Sequence, residues 1–439
     1  MMAGKCRLGW SDGPSSFYVT DYYATDSPSS SMEPNNNMGY LAVDVVNDNI
    51  LGGAMQGLYT AGYPVFKGGT LQSNAQPNLG TGNGDKVLSA TSERLFLNSY
   101  GSVGGSYQGA RFTEIDPDGG NTFLSNNAIE GLTQLVQPRD LTIDSSGNYY
   151  FLTSPYVSSV YRLAITKVNA AGTEQWSYGL DVNAISNARI TTDNTYIYTV
   201  TAIPNGIAVF KIDPTTPSIV WQRDYDLGSD SANRPVIKVD SSGNVYVGFI
   251  KTPSPTNYYE IKYNSAGTVQ HTRRYYSGSS SLQYGEGAFD EDGYYYFAWN
   301  VTPGGSDFKL SKYRNGTHSW TKTISNSLAV NYSCYTNTFT DGAFVYCGAF
   351  LDDSGSSGKR GVMFKLDATT HDQDNGTASS HSTTITGTTS SSMSTTTGAG
   401  TAGTPTYTLS DYSSYIQKTT YTPTTSSTYP FGTHGIDLL

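Results

Sequence analysis

The side chains of this 439-residue chain that could do chemistry are few and widely separated. His271, His318, His371, His381 and His434 show no ligand spacing, so a zinc site is not expected. Carboxylates paired as a glycosidase would need them occur at Asp290, Glu291 and Asp292, and at Asp352 and Asp353. Both sets fall at predicted turns, where solvation of the turn accounts for them. The nearest string to a nucleophile elbow, Gly104 to Gln108, lacks its closing glycine, and P-loop, H-E-x-x-H and C-x-x-C patterns are absent. Of three cysteines, Cys334 and Cys347 would come close across a hairpin turning near Asp341 and Gly342; free buried thiols are the expectation. No catalytic residue, metal ligand or cofactor is expected, and the chain reads as a non-enzyme.

Composition narrows the elements that position these residues. Charged side chains make up 14%, while 47 Gly and 35 Tyr, with abundant Ser, Thr and Asn, favour strands and turns over helices. With 26 basic against 36 acidic side chains the net charge is -10, an unfavourable field for a phosphate backbone, so no nucleic-acid partner is expected. Met1 to Trp10 hold Lys5 and Arg7 but no apolar run, and no stretch reaches the roughly 20 apolar residues of a membrane span. Neither a signal peptide nor a transmembrane helix is read.

A unit recurs along the chain. In residues 236–276 it is a β-rich run, a D-S-S-G-N turn, a second run, a loop, a third run, an N-S-A-G-T turn and a fourth. The same order returns at 141–179, 190–225, 287–324 and 337–372, and more weakly at 41–72 and 88–125. First-turn residues Asp44, Ser92, Asp144, Asp193, Asp240, Asp290 and Asp341 are spaced by 48, 52, 49, 47, 50 and 51 residues. Seven units of four strands at this period predict an all-β fold, a seven-bladed β-propeller over residues 40–370. In each turn the Asp carboxylate caps the backbone while Gly147 or Gly243 supplies the positive φ. Calcium would need more oxygen ligands than one Asp per turn provides. Trp176, Trp221 and Trp320 occupy equivalent fourth-strand positions, with His271 in their place in the fifth unit, which predicts packing between blades.

These residues resemble two propeller families: bacterial seven-bladed repeats of the form D-x-x-G-N-x-Y…K-Y-x-x-x-G-x-x-x-W, and quinoprotein repeats ending in A-x-x-G-x-x-x-W, which Ala170 to Trp176 fits loosely. The resemblance implies the fold. It does not extend to a quinone cofactor, because the central tryptophan platform and basic cluster cannot be assembled from five Trp.

The flanks complete the expectation. The seventh unit has three convincing strands, and residues 17–23 in the N-terminal arm (1–39) are a β-prone segment able to pair on it and remove an open edge. Residues 371–406, rich in Ser, Thr and Gly, read as a flexible linker. Residues 407–439 read as a docking arm whose anchors are Tyr412, Tyr415, Ile416, Tyr421, Tyr429, Phe431, Ile436 and Leu438; addition to the chain's own sheets is the competing reading. Abundant Tyr among Asn and Ser suits glycan or protein surfaces. The whole composition is similar to that of tailed-bacteriophage virion structural proteins of the tail or capsid surface. That resemblance implies a virion location, partners among other virion proteins and copies of itself, and a host-surface glycan as a further ligand. A bacterial extracellular or cell-surface glycan-binding propeller is the alternative.

Overall fold

The computed structural model describes residues 135–184, 187–252, 256–276, 286–300 and 307–326 continuously, and elsewhere the strands named below with a few neighbours; for most of those outer strands it gives pairing without side chains. Among the described residues every sheet is antiparallel, with seven sheets of four or more strands and one two-stranded ribbon.

The strands fall where the repeat places them. The third sheet runs Val136–Ile143, Tyr149–Val157, Leu163–Val168 and Glu174–Leu180, each strand pairing with the next; the fourth runs Ala188–Thr192, Ile197–Ile203, Gly206–Asp213 and Ser218–Asp226. The fifth is Ser231–Val239, Val245–Thr252, Asn257–Tyr263 and Val269–Tyr276, and the sixth Ala288–Phe289, Tyr295–Asn300, Asp307–Arg314 and Thr317–Asn326. Upstream lie a first sheet from Ala42–Asp44 to Thr70–Ala75 and a second from Val87–Thr91 to Phe123–Gly131. The seventh has Phe339–Thr340, Phe344–Asp353 and Lys359–Asp367, and its outer position is taken by Tyr18–Ala24, with Tyr18 opposite Lys365 and Tyr22 opposite Gly361.

Alternation along the strands explains the core, because successive side chains leave opposite faces of a sheet. Phe151 faces the second sheet with Phe112 and Ile129, whereas Tyr150 and Leu152 face the fourth with Ile190, Ala208 and Phe210. Val200 and Val209 of the fourth pack on Val245, Val247 and Ile261 of the fifth. Tyr258 and Tyr275 of the fifth pack on Phe297 and Tyr313 of the sixth, and Leu310 of the sixth on Val345, Cys347 and Phe364 of the seventh. The short first strands of consecutive sheets, from the first to the seventh, lie beside one another.

Cys347 is buried, while Cys334 and Asp341 lie outside the described residues. Asp352 stands on a strand opposite Lys359, so the expected turn at Asp352 and Asp353 is a strand end instead.

The segment that reads as a flexible linker carries strands. Thr383–Thr388 lies along Thr317–Asn326 of the sixth sheet, Ser394–Thr397 along the fifth, Thr401–Gly403 along the fourth, Leu409–Asp411 along the third and Ile416–Thr420 along the second. Thr424–Thr425 then pairs with Pro77–Asn78, just past the last strand of the first sheet, and Phe431–Gly432 and Ile436–Asp437 pair with Tyr18–Ala24 on the seventh. From the sixth sheet to the ribbon beside the first the tail therefore runs in the reverse of their order in the chain, and it ends on the seventh. Ser and Thr suffice because strand addition is made by backbone groups, which every residue but proline supplies in full.

Candidate functional site

The repeat builds one arrangement several times. In the third sheet Asp144 Oδ1 accepts from the N–H groups of Ser146 and Asn148 (both 2.9 Å), and Oδ2 from Asn148 Nδ2 (2.8 Å) and the Tyr150 hydroxyl (2.9 Å). Asp240 repeats this with Ser242, Asn244 and Tyr246, and Asp193 and Asp290 receive Tyr198 and Tyr296 at 2.7 and 3.0 Å. Gly147, with φ 77°, completes the reversal. With its lone pairs so engaged, each carboxylate acts as a turn former. Burial opposes ionisation of Asp144, but its hydrogen bonds outweigh that and hold the carboxyl below its ordinary value. Asp290 is more deeply enclosed, and burial there prevails and raises it.

The next links cross between sheets. Trp176, Trp221 and Trp320 donate their indole N–H to the carbonyls of Pro214, Ser265 and Ala368, each in the following sheet, at 3.2, 3.1 and 3.3 Å. Lys312 Nζ reaches the same Ala368 carbonyl at 2.7 Å while lying over the Tyr296 ring. The fifth sheet departs from this pattern. His271 replaces the tryptophan, and its Nε2 sits 2.8 Å from Oε1 of Glu260, which also accepts from Tyr275 and is 0% exposed. Glu260 occupies the register where other sheets carry Ile165, Val209 and Leu310, two residues before the lysine. The polar pair thus replaces an aliphatic and an indole together.

Charged groups gather along the inner edge formed by the first strands. Arg189 of the fourth sheet makes a bidentate pair with Glu286, at the start of the sixth, at 2.6 and 2.5 Å, skipping the fifth. The Glu286 carbonyl accepts from Thr338 N–H before the seventh sheet, at 2.9 Å, and Asp140 of the third accepts from Ile190 N–H of the fourth at 3.1 Å. Arg139 is held by Ser154 and Gln137 at 2.9 and 2.6 Å, and Arg234 is buried on the fifth. Sequence reading missed this group because its arginines and carboxylates stand at varying offsets, four to six residues before their turn Asp, with neither a fixed residue type nor a fixed position from unit to unit.

The outer edge holds the tail. Met393 is buried, its N–H accepted by the Tyr313 hydroxyl at 2.7 Å. Gly400 N–H donates to the Tyr225 hydroxyl at 2.9 Å, the Pro405 carbonyl accepts from Gln222, and the Tyr407 ring lies 5.3 Å from Phe210. Of the candidate anchors, Tyr412 is 8% exposed and rests on Gly179, whereas Tyr415 beside it is 38% exposed. Ile416, Phe431 and Ile436 lie on paired strands without described side chains; Tyr421, Tyr429 and Leu438 are outside the described residues. Lys418 ties the tail sideways, its N–H to Glu174 at 2.9 Å and its Nζ to the Gly172 carbonyl at 2.8 Å.

Four-stranded antiparallel meanders, repeated in sequence order, packed face to face and joined along their first strands, define a β-propeller protein. No protein-family model and no curated protein matches the chain. Among solved structures it is similar to the Dos1 propeller (TM-score 0.42, 9% identity, 80% of this chain and 96% of that one). It is also similar to a subtype N11 neuraminidase-like protein of A/flat-faced bat/Peru/033/2010 (H18N11), with TM-score 0.41, 9% identity and 80% and 94% coverage.

Proposed function

We propose that the chain is a closed seven-bladed propeller girdled by its own terminal segments, and that it serves as a non-enzymatic structural and adhesive component of a tailed-phage particle. The route of the tail carries this reading. Between one sheet and the next the tail advances four to six residues, and the last step, from Thr425 on the two-stranded ribbon beside the first sheet to Phe431 on the seventh, is six. Six residues span at most about 21 Å at roughly 3.5 Å each, so Thr425 and Phe431 lie within that reach of each other, which supports a closed ring. Tyr18–Ala24 supplies the fourth strand of the seventh blade, and the tail adds a further strand outside it.

A protein that commits both termini to holding one ring is suited to being a stable disc more than to opening and closing around a substrate. The inner-edge charges fit the same role, since Arg189, Glu286, Arg139 and Asp140 all brace one strand against another. On this reading particle contacts fall on the faces of the disc and on rim groups such as Tyr415, and the arms serve the disc itself. Peptide fingerprinting of gradient-purified particles, with electron-microscopic class averages of the isolated protein, tests both halves. Peptides of this chain in the particles and discs with seven lobes are expected. Their absence from the particles refutes the location, and an open arc refutes the closure.

A further inference from the structure

We infer that the hairpin projecting from the third sheet, with Tyr156 and Tyr161 at its base and Gln137 beside it, is a binding subsite for a neutral hexose of a surface glycan. This deepens the adhesive half of the reading above and rests on it. In the fourth sheet the second and third strands are joined by a tight turn, with Ile203 opposite Gly206. In the third the second strand instead runs on to Val157 and returns through Val160–Tyr161 as a separate ribbon. Its tip is Ser158 and Ser159, both left-handed with φ of 51° and 69°. Asn-Gly is the residue pair that such a turn favours. Two serines there place hydroxyl groups at the tip against the backbone preference, a departure that marks a functional position.

The surface below the tip is built in ranks. Tyr156 is 42% exposed, and its ring lies 5.0 Å from Tyr161 at 59°. Behind them Gln137 Nε2 points at the Tyr161 hydroxyl (3.4 Å) while its Oε1 accepts from Arg139 Nη2 at 2.6 Å. Arg139 is buried and held by Ser154, itself buried, at 2.9 Å. The arginine therefore fixes which way the amide faces: oxygen inward, nitrogen outward. Of the two N–H groups on that nitrogen only one can be directed at Tyr161, and the other serves a ligand oxygen. An exposed aromatic face for the C–H side of a pyranose, a preset amide donor and two tip hydroxyls are the groups that recognise a neutral sugar. Of the two arginines at the base of the hairpin, Arg139 is turned to Gln137 and Ser154 and Arg162 is paired with Asp181 at 2.6 Å, which favours a neutral ligand over an anionic one.

Saturation-transfer NMR on the full chain, with methyl α-mannoside, methyl β-galactoside and N-acetylglucosamine as separate probes, tests the assignment. Transfer to the ring protons of at least one sugar is expected. Tyr156→Ala and Gln137→Glu should each weaken it at least about tenfold, the weight of one lost stacking or hydrogen-bonding contact, with unchanged thermal unfolding. Tyr415→Ala, which removes an exposed tyrosine on the tail, should leave it intact. No transfer from any of the three sugars overturns the proposal. So does full binding by both hairpin variants, or equal loss in Tyr415→Ala. Particle membership is measured by the fingerprinting above, so failure of either reading is recognised separately.

Discussion

A single methyl group at Gly179 tests whether the tail is seated as described. A Cβ at that position would come within 2.2 Å of two atoms of the Tyr412 ring and 2.4 Å of a third, so Gly179→Ala evicts the ring while leaving a residue that a strand accepts. Eviction re-exposes on the order of 150 Å² of aromatic surface, which at about 25 cal/mol per Å² gives about 4 kcal/mol as an upper bound. Partial cover by the neighbouring Tyr415 ring brings the expected loss to about 2–4 kcal/mol, confined to the tail. Hydrogen exchange reads it directly: protection of residues 409–411 and 416–420 should fall by about 30- to 700-fold, since each 1.4 kcal/mol is a factor of ten. Protection of the fourth-sheet core strand Ile197–Ile203 should not change. Tyr412→Ala should produce a similar loss. The double variant Gly179→Ala/Tyr412→Ala should be no worse than Tyr412→Ala alone, because the clash has lost its partner. Wild-type protection in Gly179→Ala, or a double variant equal to the sum of the singles, would refute the seating.

Three other perturbations follow from the packing. Removing His271 as His271→Ala leaves Glu260 buried with its tyrosine alone and should cost about 3–5 kcal/mol in denaturant unfolding, whereas Glu260→Ile with His271→Trp restores the pattern of the other sheets and should be neutral or stabilising by about 1–4 kcal/mol. Glu286→Ala removes the bidentate carboxylate partner of the mostly buried Arg189 guanidinium and should cost about 3–5 kcal/mol by the same assay, with Arg189→Met/Glu286→Leu costing clearly less than the single change. Asp144 is held below its unfolded value, so its stabilisation is present above about pH 4 and is lost as pH falls through the depressed folded value. The stability gap between wild type and Asp144→Ala should therefore narrow between pH 5 and pH 2. Asp290, raised by burial, has the opposite sign: its contribution is present below its unfolded value and is lost as pH rises through the raised folded one.

What could be read from the sequence was whatever local chemistry writes into a short stretch. Asp144, Gly147 and Asn148 make their turn almost entirely from atoms within five residues of one another, so the turns, the four strands between them and the unit length were visible in the residue pattern. The equivalence of Trp176, Trp221 and Trp320 was visible for the same reason, and it anticipated the packing between sheets that their indole hydrogen bonds carry out. The β-prone run near residue 18 announced a strand, and a missing fourth strand in the last unit announced where one was needed.

The path of the tail had no such signature. Strand addition is made by peptide groups that Thr, Ser and Gly offer alike, so the composition of residues 371–406 specifies no address and reads as a linker; the address is the set of open edges that the folded sheets present. Arg189 and Glu286 stand 97 residues apart and meet only because two first strands face each other across the fifth. His271 stood in the sequence as the exception at the tryptophan position, and its partner Glu260 appears only once pairing puts the two in contact. Turn and strand identity was settled by neighbours along the chain, whereas the fit of both termini and the partner of each buried charge were decided by tertiary structure, because those depend on distances that exist only once the sheets have packed.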